Sequence, residues 1–123
     1  VVSGGQLDRV AQEMLGTDAR APDLVALAGR GDQQAVEAVE AAGHWLGRGV
    51  ATLVMMLDPA VVVVAGAVSA AGDLLLEPAR RSIASAVPGH GRHRSVRLIQ
   101  SEFGSLAGAV GAALATQRAG NGA

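Results

Sequence analysis

The sequence predicts an α/β fold, a small parallel sheet with covering helices, and three observations carry that prediction. A long helical pattern runs from Gln33 to Leu57. Directly after it, Ala60-Val61-Val62-Val63-Val64-Ala65 is a β-branched run without polar alternation, as in a parallel strand covered on both faces. A second strand, Val96-Arg97-Leu98-Ile99-Gln100, follows an intervening helical stretch. Strand, helix and strand in that order make two parallel neighbours joined by a right-handed crossover.

Each element has its own local signal. Leu7 to Leu15 is a short helix with Leu7, Val10, Met14 and Leu15 on one side, stopped at Gly16. Pro22 sits near the start of a second short helix, Leu24 to Arg30, where its missing N–H does least harm. Gly31-Asp32 ends that helix, and Asp32 can cap the next. In the long helix Val36, Val39, Gly43, Leu46, Val50, Leu53 and Leu57 recur every three or four residues and share a face. Glu37, Glu40, His44 and Arg48 form a narrow polar stripe. Ala38, Ala41, Trp45, Gly49, Thr52 and Met56 make a third, mostly apolar face, so this helix is expected to be buried on two sides. Gly43 and Gly47 lie one turn apart and permit close approach of another backbone.

Asp58-Pro59 closes the long helix, and Gly66-Ala67-Val68-Ser69 is the exit loop of the first strand. A helical stretch from Ala70 to Val87 follows, in which Pro78 marks a kink or a fresh start after a turn capped at Asp73. Pro88 to Arg94 reads as a flexible loop, Ser101 to Ser105 as another exit loop, Leu106 to Arg118 as a final helix, and 119–123 as a frayed tail.

Composition narrows the function classes. A chain of 123 residues fits one domain with a real core. With one Trp, one Phe and no Tyr, that core rests on Val, Leu, Ile, Ala and Met. Net charge is −1, without the basic stripe of a DNA-binding domain. Cysteine is absent, which removes disulfides, a Cys nucleophile and Cys-based zinc sites within these residues and fits a cytoplasmic protein. Val1–Asp8 carries no signal-peptide pattern. Val50 to Val68 has the length of a membrane span, but Asp58-Pro59 interrupts it, so no membrane role is expected.

Few side chains stand out chemically. His90 and His93 have a spacing that two metal ligands can use, but Gly, Pro and Arg surround them in a solvated loop, and no metal site is assigned. Arg92, Arg94 and Arg97 lack the interleaved aromatics of a nucleic-acid surface. His44 belongs to the wet stripe; Asp8, Glu13 and Asp18 form no catalytic pair; Glu102 is read as a loop or capping residue. Two strands leave sheet edges open. Trp45 and Met56 are therefore candidates for an interface in a homo-oligomer.

Four ordered blocks carry a family resemblance. They are Gly31-Asp32 through Leu46-Gly47-Arg48-Gly49-Val50-Ala51-Thr52-Leu53, then Leu57-Asp58-Pro59-Ala60-Val61-Val62-Val63, Ala71-Gly72-Asp73-Leu74-Leu75-Leu76-Glu77-Pro78, and Gly108-Ala109-Val110-Gly111-Ala112-Ala113. In this order they resemble the C-terminal lobe of the ROK family (repressor, open reading frame, kinase), over roughly Gly31 to Leu114. Val1 to Gly5 resembles the segment after the family's zinc motif.

The resemblance implies part of an actin-like (ribonuclease H-like), two-lobed ATPase fold. Residues 1–30 would be the lead-in after the zinc motif, 31–118 the core of the lobe and 119–123 the tail. Family members are sugar kinases or sugar-responsive repressors. Their phosphate-binding Asp-x-Gly, base Asp and zinc knuckle belong to other segments, and none occurs here, so no catalytic residue is carried over. Zinc and ATP are expected only of full-length members. DNA, the sugar effector and the N-terminal lobe enter only through segments this sequence lacks.

Gly66, Ala67, Val68 and Ser69 align with the kinases' nucleotide loop, in a degenerate form. Where kinases have a Gly-Gly pair, Ala67 takes the second place. A positive φ there would cost Ala about 1 kcal/mol or more. On that argument the expected function is the effector-sensing and oligomerising part of a repressor without enzyme activity of its own. The alternative is the C-terminal half of an ATP-dependent, glucokinase-like sugar kinase.

Overall fold

The computed structural model describes residues 4–89 and 96–102. The expected final helix from Leu106 to Arg118, the histidine loop from His90 to Arg94, and the termini 1–3 and 119–123 lie outside the described residues. Within them the order is α1 (Gly4–Leu15), α2 (Ala21–Gly29), α3 (Gln33–Leu57), β1 (Val61–Val64), a 3-10 turn (Ala67–Ala71), α4 (Asp73–Ala86) and β2 (Arg97–Gln100). β1 and β2 pair in parallel, Val61 opposite Arg97 through Val64 opposite Gln100, with α4 as the crossover.

The helix starts are made by carboxylates. Asp8 on α1 accepts the Ala21 N–H at 2.7 Å, tying α1 to the first turn of α2. Asp23 reaches back to the Arg20 N–H at 2.8 Å. Asp32 accepts from Ala35 N–H at 3.0 Å and starts α3, as its position predicts. At the other end of α3, Asp58 adopts a left-handed conformation with φ 48°, which Asp tolerates better than most residues, and Pro59 prevents continuation.

α3 is the spine, and it serves two apolar clusters in succession. Its first half packs Ala35, Val39 and Ala42 with Leu7, Leu24 and Ala28 of the two lead-in helices. Its second half packs Val50 and Val54 with Leu76, Ala79 and Ile83 of α4 and Leu98 of β2. The α3–α4 crossing is set by Gly43 and Gly47, both buried. A Cβ on Gly43 would collide with the Leu75 carbonyl oxygen and lie 3.0 Å from Pro78 Cβ. One on Gly47 would collide with the Ala79 carbonyl oxygen and lie 2.7 Å from Ser82 Cβ. Pro78 lies inside a continuous α4, its buried ring packed beside Gly43. The helix therefore does not start afresh there.

Two expectations about burial are corrected. α3 is not covered on two sides: Ala41, Trp45, Gly49, Thr52 and Met56 are exposed, and so are Leu53 and Leu57. Those two leucines point to the side that α1 and α2 cover only along the first half of α3. β1 is likewise not covered on both faces. Val62 and Val64 pack inward, while Val61 and Val63 are 40% and 56% exposed.

Candidate functional site

The chain geometry singles out the C-terminal end of β1, where ligands of open parallel α/β sheets sit. After Val64 and Ala65 the backbone turns at Gly66, with φ 103° and ψ 177°, a region closed to residues bearing a Cβ. Among the described residues other than its chain neighbours, nothing lies within 4 Å of the place a Cβ on Gly66 would occupy, so this flank is open on that side. The turn ends at Gly72, again at positive φ (57°), immediately before α4.

Between these glycines a three-step ladder fixes the backbone. Ser69 N–H donates to the Gly66 carbonyl at 3.1 Å, Gly72 N–H to the Ser69 carbonyl at 3.0 Å, and Leu75 N–H to the Gly72 carbonyl at 3.1 Å. The Ser69 hydroxyl adds a second bond to the Gly66 carbonyl, at 2.7 Å. Ser69 is only 1% exposed. The loop is thus a hydrogen-bonded 3-10 turn leading into a helix N-terminus that no side chain caps at Gly72. It offers backbone groups rather than catalytic side chains.

Ala67 needs correction in this light. It opens the 3-10 turn, whose backbone lies in the right-handed region at negative φ. The positive φ falls on Gly66 instead, so the strain that would set Ala67 apart from a kinase Gly does not arise from its backbone.

Other singled-out residues are spread over α3 and α4. His44 Nδ1 and Ser82 Oγ share an exposed hydrogen bond of 2.9 Å across the crossing. Trp45 is 54% exposed, with the Arg48 guanidinium 5.0 Å from its ring centroid. It stands at an open groove of about 560 Å³ that also involves Gly49, Thr52 and Leu53. Met56 is 74% exposed, and neither residue reaches the Gly66 loop's hydrogen-bond ladder.

Arg80 was not anticipated from sequence. It pairs with Glu77 and Asp73 and donates from Nη2 to the Leu98 carbonyl at 2.9 Å, clamping α4 to β2. The bond to Glu77 raises its pKa above the ordinary arginine value; burial is the next effect and opposes it, and the bond to Asp73 adds to the rise. Among the described residues, no helix is long and apolar enough to cross a membrane.

A parallel strand–helix–strand unit with a glycine-flanked turn at the ligand end defines a lobe of a nucleotide-type α/β fold, and known proteins agree. The ROK family model matches residues 1–119, and the chain belongs to the ROK family. A glucokinase from Streptomyces coelicolor is 35% identical over 79 residues, covering 64% of this chain and 25% of that protein. The crystal structure of a ROK family glucokinase from Streptomyces griseus, in complex with glucose and AMPPNP, superposes with a TM-score of 0.71 at 28% identity, covering 89% of this chain and 36% of that one. A ROK hexokinase from Thermus thermophilus gives 0.66 at 30% identity, covering 93% and 38%. The matched segment thus spans only a quarter of the length of the glucokinase relative. Its actin-like lobe assignment stands, and these relatives back the kinase alternative better than the repressor reading.

Proposed function

We propose that this chain is the C-terminal part of a ROK sugar kinase that phosphorylates glucose or a close hexose with ATP, and that Gly66–Ser69 is its nucleotide-facing loop. The observation that carries this is Gly66: the glycine-only conformation with an open flank sits at the ligand end of β1, in a chain similar to glucokinases. Asp73 in the first turn of α4 disfavours a phosphate at that helix start. The loop is therefore assigned to the nucleoside end of the nucleotide. The sugar, the base that deprotonates its hydroxyl, and any zinc belong to the remainder of the protein, as the family resemblance implies.

The test is steady-state phosphorylation of glucose by the full-length protein. Turnover on the order of 10 per second, a usual enzyme rate, is expected. No turnover with any hexose or amino sugar, together with sugar-sensitive DNA binding, would return the assignment to a repressor. The 123-residue chain by itself is expected to show no sugar-dependent ATP consumption.

A further inference from the structure

Ser69 is one of two polar residues buried among the described residues, yet it belongs to an exit loop rather than to the core. Its side chain makes a bond that its backbone already makes. Hydroxyl and N–H converge on the Gly66 carbonyl, at 2.7 and 3.1 Å. One such bond suffices to close a 3-10 turn. The second fixes the plane of the Gly66 peptide, at the point where φ 103° makes the backbone freest to swing. The fixed peptide also carries the open flank, where no described residue beyond its chain neighbours lies within 4 Å of a Cβ position.

We infer that Ser69 is a positioning residue for the nucleotide: it locks the Gly66 peptide so that the loop backbone is already in its binding orientation before the nucleotide arrives. The inference rests on the kinase reading above. Ser69 does not touch the ligand; it acts through Gly66. Gly72, the other end of the ladder, holds Ser69 from behind through its N–H to the Ser69 carbonyl. Loss of the hydroxyl leaves the turn closed by its backbone bond but lets the peptide above it reorient. The consequence belongs to nucleotide affinity, not to sugar affinity or to the chemical step.

The experiment is steady-state kinetics on the full-length protein, with ATP and glucose varied separately, for Ser69→Ala, Ser69→Thr and Gly66→Ala, each checked by thermal melting. Ser69→Ala is expected to raise the KM for ATP about fivefold, the worth of one hydrogen bond, with kcat and the KM for glucose unchanged. Ser69→Thr, which keeps the hydroxyl, restores the wild-type KM for ATP. If Ser69→Ala does not fold, Ser69→Cys, which keeps a polar atom of similar size but donates weakly, gives the same readout.

An ATP KM that moves in Gly66→Ala but not in Ser69→Ala overturns the role of Ser69 and leaves the loop assignment intact. A fall in kcat with both KM values unchanged overturns it too, as a merely structural effect. Unchanged ATP KM in both variants of a protein that phosphorylates glucose overturns the loop assignment and the inference with it. Absence of turnover in the wild type overturns both through the kinase reading.

Discussion

Glycines on α3 differ in what surrounds them, and the difference sets opposite expectations for one substitution. Gly47 meets the Ala79 carbonyl and Ser82 of α4, whereas a Cβ on Gly49 would meet nothing within 4 Å. Ala is favoured over Gly in a helix interior by about 1 kcal/mol, and overpacking a buried contact costs about 1–3 kcal/mol. Gly49→Ala is therefore expected to stabilise the chain by up to about 1 kcal/mol. Gly47→Ala is expected to destabilise it by up to about 2 kcal/mol net, since a backbone carbonyl cannot step aside as a side chain can. Urea denaturation of both variants checks the sign of each. The Gly43–Gly47 spacing was legible in sequence as a close approach, because two small residues one turn apart have few other uses in a soluble helix. At Ala67 the sequence leaves the backbone question open for an equally physical reason. In Gly66-Ala67 only one residue takes the positive φ, and composition does not say which until the 3-10 turn is seen to begin at Ala67.

Helices with strong local signals were legible, and contacts made across distance were not. Asp32 before an apolar periodic run marks the start of α3, and its carboxylate indeed accepts the Ala35 N–H; Asp32→Ala is expected to cost about 1 kcal/mol in chemical denaturation. Asp8 escaped notice because the helix it supports begins thirteen residues later, on a different element. The valine run of β1 correctly marked a parallel strand. It misjudged burial, since the cover of a strand face depends on neighbours that β-branched composition does not report. Arg80 joins three residues of two elements, Asp73, Glu77 and Leu98, but is partly exposed, its side chain at 39%. Arg80→Leu should therefore cost only about 1 kcal/mol or less. A folded-state pKa raised above the unfolded value gives stability that is fully present below the unfolded value and is lost as pH rises through the folded value. For Arg80 that lies in strong alkali, so no difference between Arg80→Leu and wild type should arise from its own titration between about pH 6 and about pH 9.

Among the described residues, α3 and β1 leave several large apolar side chains exposed. Trp45 and Met56 are eleven positions apart on α3, which at about 100° per residue places them within about 20° of each other. Both are exposed, with Leu53 at 47% beside them. On the sheet, Val61 and Val63 are open as well. Exposed apolar side chains of this kind mark an interaction face when they cluster, and a twofold homodimer is the commonest closed assembly that can bury them. The chain is expected to sediment as a dimer at micromolar concentration, with Trp45 in the contact. Trp45→Ser and Met56→Ser, being exposed within one chain, should leave helix content and denaturation midpoint nearly unchanged while shifting sedimentation toward monomer. A wild-type monomer at that concentration defeats the expectation outright. A dimer unaffected by both changes removes these two residues from the interface. Should the chain alone dimerise while the full-length protein is monomeric, the same apolar side is one that the rest of its own chain covers, since the glucokinase relative is more than twice as long, the 79 matched residues being 25% of it.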